Sequence, residues 1–436
     1  MLREELIFAA TCDMSGHVRG KGFPASDLPM RMRTGIGWTP TNIMISALGP
    51  IWDTPFGTAS DLMLLPDPAT EVRVDFDDGS APEHLILGDL CATDGSPWEC
   101  CPRAFLRRAI AALADHGYSL DAAFEQEFVY TGAESFAASP YSLEAFRRQG
   151  VFGSALVAAL RAAGLAPEAF LAEYGPRQFE ITIAHQPAMA AADHGVITRE
   201  LARAAAQRLG HRALFTPMIE PDGTGNGVHI HMSLRDLGGL HATYVPDAHD
   251  GLSAPARNFF AGVLHYLPAL CAITAPSPVS YLRLTPNRWA PTAANIAIQD
   301  RAASLRICPT FRADDAAAIA AQFNVEYRPA DATASPYLAL GAIIFAGVEG
   351  LRHELGFVRS QAGQPEVSSR FTADAAVPPL PRSLDDALDA LEAVAEARDW
   401  FMPIHFDAYV RAKRAEAANL KSLTPAALCA RYTEAY

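Results

Sequence analysis

What most constrains this chain is a set of short apolar runs in which charged residues recur at every second position. Phe124-Glu125-Gln126-Glu127-Phe128 is the plainest of them. Side chains two apart on a strand stand on the same face, so Glu125 and Glu127 are predicted to stand together. Two carboxylates side by side cost free energy unless a cation lies between them. The run therefore reads either as an exposed strand face or as half of a cation site. Similar alternation recurs in Val228-His229-Ile230-His231-Met232-Ser233, after the glycines Gly223, Gly225 and Gly227, and again in Val325-Glu326-Tyr327-Arg328.

Other segments aim polar groups in the same way. Glu173 precedes a Gly175-Pro176 turn that leads into a strand, where Glu180 alternates with Phe179 and Ile181 and is predicted to point inward. Buried carboxylates are rare unless paired or metal-bound. The glycines before His229 let backbone approach a ligand closely. A strand follows them rather than a helix, which excludes the dinucleotide-binding fingerprint. Arg283, Arg288, Arg301 and Arg306 lie in apolar sequence and suit bidentate contacts with carboxylate or phosphate. Any one of them alone reads equally well as a surface ion pair. Oxygen-rich ligation with imidazole and no thiolate points to Mg²⁺ or Mn²⁺ rather than zinc. Arginines beside a carboxylate-held metal are what phosphoryl transfer needs. The residues by themselves predict a metal-dependent, nucleotide-using enzyme.

With 436 residues the chain is too long for one small core. A boundary near Cys101 divides it into 1–101 and 102–436. The first part has short β-type runs such as Asn42-Ile43-Met44-Ile45 and Glu71-Val72-Arg73-Val74-Asp75. From Pro102 a helical face follows, with Phe105, Leu106, Ala109, Ile110 and Leu113 closed by Gly117. The second part mixes strands with alanine-rich helices, so the fold class is α+β. Ser335-Pro336 opens a long apolar helix, and Ser383 with Asp386 frames a surface helix carrying Leu384, Leu388 and Leu391. Residues 359–381 are the expected mobile flap. A net charge of −14 argues against a nucleic-acid partner. No run reaches the ~20 apolar residues of a membrane span, and the first residues lack the pattern of a secretory signal. Seven cysteines without a C-x-x-C pair fit a reduced, cytoplasmic location.

In order and wording these segments resemble glutamine synthetase from near the first residues to about Gly350. The likeness takes in Asp13, Gly16 and Arg19-Gly20-Lys21, then Asp94-Gly95 and Cys101-Pro102-Arg103. It continues through Glu125-x-Glu127, 175–180, 227–233 and 301–309, to Glu326-Tyr327-Arg328 and Ser335-Pro336-Tyr337-Leu338. The resemblance implies an N-terminal β-grasp domain and a catalytic domain built on a curved antiparallel sheet with helices. It implies stacked rings, usually dodecamers of two hexamers, with each active site between subunits. It implies two or three Mg²⁺ or Mn²⁺ ions per site and ATP as co-substrate. Carried over by motif, Glu127, Glu173 and Glu180 would hold one ion, and Glu125, His229 and Glu326 a second. His231, Ser233, Arg301 and Arg306 would contact ATP. Gly225, Arg283 and Arg328 would surround the acid substrate, with Arg301, Arg328 and Glu326 closest to the chemistry. An acyl phosphate, formed from the substrate carboxylate and ATP, would then be attacked by an amine.

Departures from the family pattern bear on the amine. Trp289 stands where ammonia-using members place a glutamate, and residues 34–39 lack the aspartate of the N-terminal pocket. Losing two carboxylates removes the anionic cage of a small cation. Trp289 could stack on an organic amine or hold a cation on its ring face; alternatively it fills a gap in the core. Thr224 replaces an asparagine near the acid, and Asn324 replaces a basic residue before Glu326. The expectation is a γ-glutamyl–amine ligase. An ammonia-using glutamine synthetase and a non-catalytic ring protein are the alternatives.

Overall fold

Charged residues alternating with apolar ones set the strands, and the structure, a computed structural model, describes residues 3–58, 60–134, 140–286, 288–359, 370–372 and 378–436. The first sheet holds β1 (Leu6–Cys12), β2 (Val18–Pro24), β3 (Ile36–Trp38), β4 (Leu62–Pro66), β5 (Val72–Val74) and β6 (Glu83–Ala92). Their order is β2-β1-β6-β4-β3, with β5 also on β6. β1 and β6 run parallel at its centre, as a β-grasp requires. Residues 42–45, expected as a strand, form a 3-10 turn instead, Pro40–Met44. Pro40 fixes φ at its start, and burial of Ile43 and Met44 accounts for the apolar run.

The second sheet holds β7 (Tyr118–Tyr130), β8 (Pro167–Ala172), β9 (Gln178–Ile183), β10 (Gln186–Pro187), β11 (Ala213–Leu214) and β12 (Val228–Asp236). It continues with β13 (Ile296–Ile298), β14 (Leu305–Ile307), β15 (Val325–Tyr327), β16 (Val358–Arg359) and β17 (Arg370–Thr372). The order is β16-β17-β13-β14-β15-β12-β7-β9-β8, with β10 and β11 also on β7. Against the antiparallel expectation, β13 and β14 run parallel. Strands of three residues are only about 7 Å long, so the link 299–304 can return along them. Gln299, at φ +56°, makes the turn.

β7 shows how the sheet separates core from site. Phe124, Gln126 and Phe128 are buried on one face, beside the helix Ala188–Arg208. Gly195 of that helix lies so close that a Cβ there would meet the Phe124 ring at 3.3 Å. The buried Gln126 amide donates to Gly195 O, which keeps a polar group tolerable there. Ala123, Glu125 and Glu127 are left on the opposite face. The apolar helix opened by Ser335 runs Pro336–Arg352 and is buried from Pro336 to Gly350, as a helix apolar all round must be. Helix Pro102–Asp115 ends at His116, and Gly117 at φ +89° turns the chain away. Ser383 caps Leu384–Ala393 by accepting from Asp386 N, while Asp386 accepts from Arg382 N rather than closing on Ser383.

The residues that carried the N-terminal resemblance join the two sheets. Arg103, 1% exposed, donates to Asp67 at 2.9 Å and Asp89 at 3.3 Å on one side. On the other it grips Asp193 through Nε and Nη2, at 3.1 and 3.0 Å. Arg199 donates to Ala332 O at 2.6 Å and Gly16 O at 3.2 Å. Asp13 accepts from Arg19 and from the backbone N–H groups of Ser15 and His17. Among the described residues no helix is long and apolar enough to cross a membrane. Of the expected flap, 360–369 and 373–377 lie outside the described residues.

Candidate active site

Register lays the polar residues out as a stripe across the second sheet. Glu180 on β9 lies opposite Glu127 on β7, and Glu125 lies opposite His229 on β12. His231 lies opposite Glu326 on β15, and Glu326 opposite Arg306 on β14. The stripe opens into a cavity of about 880 Å³, which Glu125, Glu127, Glu173, Glu180, His229 and Glu326 all line. Gly225, Arg283, Trp289, Arg301, Arg306 and Arg328 complete its wall. His231 and Ser233 instead line a neighbouring cavity of about 190 Å³, and Glu125 borders both.

Ion pairs fix the middle of the stripe. His229 Nδ1 stands 3.1 Å from Glu125 and 3.3 Å from Glu326, and His231 Nε2 stands 3.0 Å from Glu125. Glu326 also accepts from Arg306 at 2.9 Å and from Arg328. Burial alone would raise the Glu326 carboxyl, but His229, Arg328 and His231 outweigh it and hold it down at about 2. Glu125 is likewise held low, with His231 and His229 overcoming burial. Ligand atoms of Glu125, His231 and Glu326 lie within 4.8 Å of one another. Sequence reasoning grouped His229 with these two carboxylates; the geometry brings both histidines to them.

The carboxylate end of the stripe lacks such partners. Burial pushes the Glu180 carboxyl up to about 10, reinforced by Glu125, Glu127 and Glu173. Glu173 is raised by burial and by Glu127, although it accepts from Tyr141 OH at 2.9 Å and Tyr174 N at 3.0 Å. Glu127 accepts from Gly227 N at 2.6 Å. Carboxylates that repel one another in a buried place fit a bound cation, which would remove the repulsion. Oxygen donors with one imidazole match Mg²⁺ or Mn²⁺. The residues present therefore fit the implied metal.

The glycine loop and the arginine segment make the opposite wall. Arg283, 4% exposed, donates to Pro329 O at 2.6 Å and Ala330 O at 2.7 Å. A Cβ on Gly225 would meet Arg283 Cγ at 2.6 Å, so only glycine lets the loop lie against it. Arg288, read from the sequence as suited to carboxylate or phosphate and given no role by the resemblance, instead donates to Gly223 O and Pro221 O and so ties the loop to the arginine segment. Gln178, also unassigned, donates to Gly225 O and to the Asn226 side chain, both at 2.8 Å. Trp289 is 66% exposed at the rim, with a left-handed φ of +54°. Its ring centroid lies 5.6 Å from that of Tyr174. The core-filling reading of Trp289 is thereby overturned. Tyr174 and Tyr141 also line this cavity. The first adjoins Glu173 in the sequence and could have been read from it; nothing in the sequence marks the second.

Family models match in the same order as these elements. The glutamine synthetase N-terminal domain matches residues 3–98, and the glutamine synthetase catalytic domain matches 99–432. The chain belongs to the glutamine synthetase family. Enzymes of this family are ligases, and so is this protein. It is 34% identical to the gamma-glutamylpolyamine synthetase of Streptomyces coelicolor, over 99% of this chain and 93% of the relative. It is 30% identical to the glutamine synthetase of Pyrococcus abyssi, over 89% of this chain and 84% of the relative. A crystal structure described as a novel glutamine synthase homolog superposes with a TM-score of 0.90 at 37% identity, covering 100% of this chain and 99% of the other. The glutamine synthetase fold thus accounts for both sheets and for the second sheet's place as the catalytic domain's core.

Proposed function

We propose that this ligase uses ATP to join the γ-carboxyl of glutamate to an organic amine bulkier than ammonia. One observation carries the choice of amine. Trp289 and Tyr174 present an exposed aromatic pair at the rim of the cavity that holds the acidic stripe. An aromatic face stacks on an apolar amine or holds an alkylammonium group, and its apolar area offers contact that ammonia is too small to make. The likeness to a gamma-glutamylpolyamine synthetase supports the same reading.

In this proposal Glu127, Glu173 and Glu180 hold one divalent cation, and Glu125, His229 and Glu326 another. Such ions supply neutralisation of phosphate charge. Arg301, Arg306, His231 and Ser233 hold the nucleotide, with Arg306 fixed by its bond to Glu326. Arg283, Arg328 and Gly225 shape the place of the acid. The substrate carboxylate oxygen attacks the terminal phosphorus of ATP, and ADP leaves. The amine nitrogen then attacks the acyl carbon of the acyl phosphate and loses a proton, and phosphate departs with the C–O electron pair. Positioning and fixed charge contribute most to such steps. Ring assembly, as a dodecamer, belongs to the same proposal, because a neighbouring N-terminal sheet would then close the site.

Phosphate release from ATP and glutamate tests the reading, measured across ammonia, polyamines, ethanolamine, alkylamines and anilines. An organic amine should outpace ammonia, and Trp289→Glu should shift the ratio toward ammonia. Ammonia outpacing every organic amine would overturn the proposal; an unchanged ratio in Trp289→Glu would remove Trp289 from it.

A further inference from the structure

The rim around Trp289 is selective about the tail an amine carries. The ring centroids of Trp289 and Tyr174 are 5.6 Å apart and the rings are tilted by 32°. A guest sandwiched between two rings needs about 7 Å, twice an ordinary carbon–carbon contact. The pair is therefore closed to such a guest and offers one continuous surface for a tail to lie along. Trp289 is 66% and Tyr174 55% exposed, so that surface is bare. Leu171, Pro176, Pro286 and Ala290 line the same cavity and extend its apolar wall. Charge at the rim is already matched. Among the described residues, Asp222 is the one carboxylate outside the stripe that lines this cavity, and Arg288 Nη2 stands 3.7 Å from it. Tyr174 also borders a cavity of about 210 Å³, where Glu134 accepts from Arg148 at 2.9 Å and Arg177 adds a further positive charge.

We infer that the amine is a monoamine with an apolar tail, an alkylamine or arylalkylamine, rather than a diamine or polyamine. A second ammonium on the tail meets each rim carboxylate with a guanidinium already beside it, and like charges repel. A methyl or phenyl terminus gains apolar contact at the same place without that cost. The inference rests on the proposed joining of glutamate to an organic amine and narrows it. It also sets this chain apart from the relative named for polyamines.

n-Pentylamine and 1,4-diaminobutane match in length and differ in ending on a methyl or an ammonium group. With ammonia beside them they make the test, read as phosphate release from ATP and glutamate by the full-length protein. kcat/KM should be at least about tenfold higher for pentylamine than for the diamine, the discrimination an apolar pocket reaches between close analogues. Trp289→Asp puts a carboxylate on the aromatic surface and suits the left-handed backbone there. It should lower the pentylamine-to-diamine ratio severalfold. A diamine equal to or better than pentylamine, with both outpacing ammonia, overturns this inference and leaves the organic-amine reading standing. Ammonia outpacing both overturns the two together. A ratio that Trp289→Asp leaves unmoved overturns the assignment of the choice to this rim.

Discussion

Glu180 keeps only 9% of its surface exposed, and its nearest charges are other carboxylates. An unfolded glutamate ionises near 4.5, whereas this one holds its proton to about 10. Between those values the folded state binds more protons than the unfolded one, so the residue's contribution to stability falls as pH rises. A cation in the stripe reverses that penalty. Melting of the metal-free protein above neutral pH should therefore come at a higher temperature for Glu180→Gln than for the unaltered chain. Mg²⁺ should raise the stability of the unaltered protein by about 2.7 kcal/mol at a hundredfold excess over its Kd, and that of Glu180→Gln by much less. Equal stabilisation of both proteins by Mg²⁺ would remove Glu180 from the metal site.

At the scale of elements, the glycine loop and the arginine segment act as one rim because Arg288 reaches across with both Nη atoms. Lysine cannot reproduce that fork. Arg288→Lys should lower kcat/KM by about tenfold to a hundredfold through misplaced substrate, with a melting temperature close to that of the unaltered protein. Unchanged kinetics would show that the rim is held by other contacts. The strands of the stripe were legible in the sequence because a charged residue between two apolar ones has little choice of face. Glu125, Glu127, Glu180, His229 and Glu326 all line one cavity for that reason. Pairing between distant strands was not legible, since periodicity says which face a residue takes and nothing of its neighbour across the ladder. The approach of Cys308 Sγ to His231 Nδ1, at 3.7 Å, went unread for that reason, since it depends on β14 and β12 both flanking β15. Trp289 was read for its chemistry but not for its place, because a left-handed backbone at a tryptophan leaves no trace in composition.

Across the whole molecule, Arg103 is the point where both sheets meet. Its guanidinium answers Asp67 and Asp89 from the first sheet's side and Asp193 from the helix beneath the second. Removing one partner of a buried ion pair leaves charge unanswered and costs about 3–5 kcal/mol. Arg103→Met should lower the free energy of unfolding by that amount in urea titration. A loss below about 1 kcal/mol would mean that contacts other than Arg103 hold the sheets together.

The exposed position of Trp289 has a consequence for how such a ligase can change over generations. Surface side chains with few buried contacts can be exchanged at little cost in stability, within about 0.5 kcal/mol. The charged stripe proposed to handle phosphate lies on strands anchored in the core, whereas Trp289, proposed to face the incoming amine, stands 66% exposed at the rim. On the proposed roles, a lineage can retarget its acceptor by mutation at the rim while inheriting the phosphate chemistry intact.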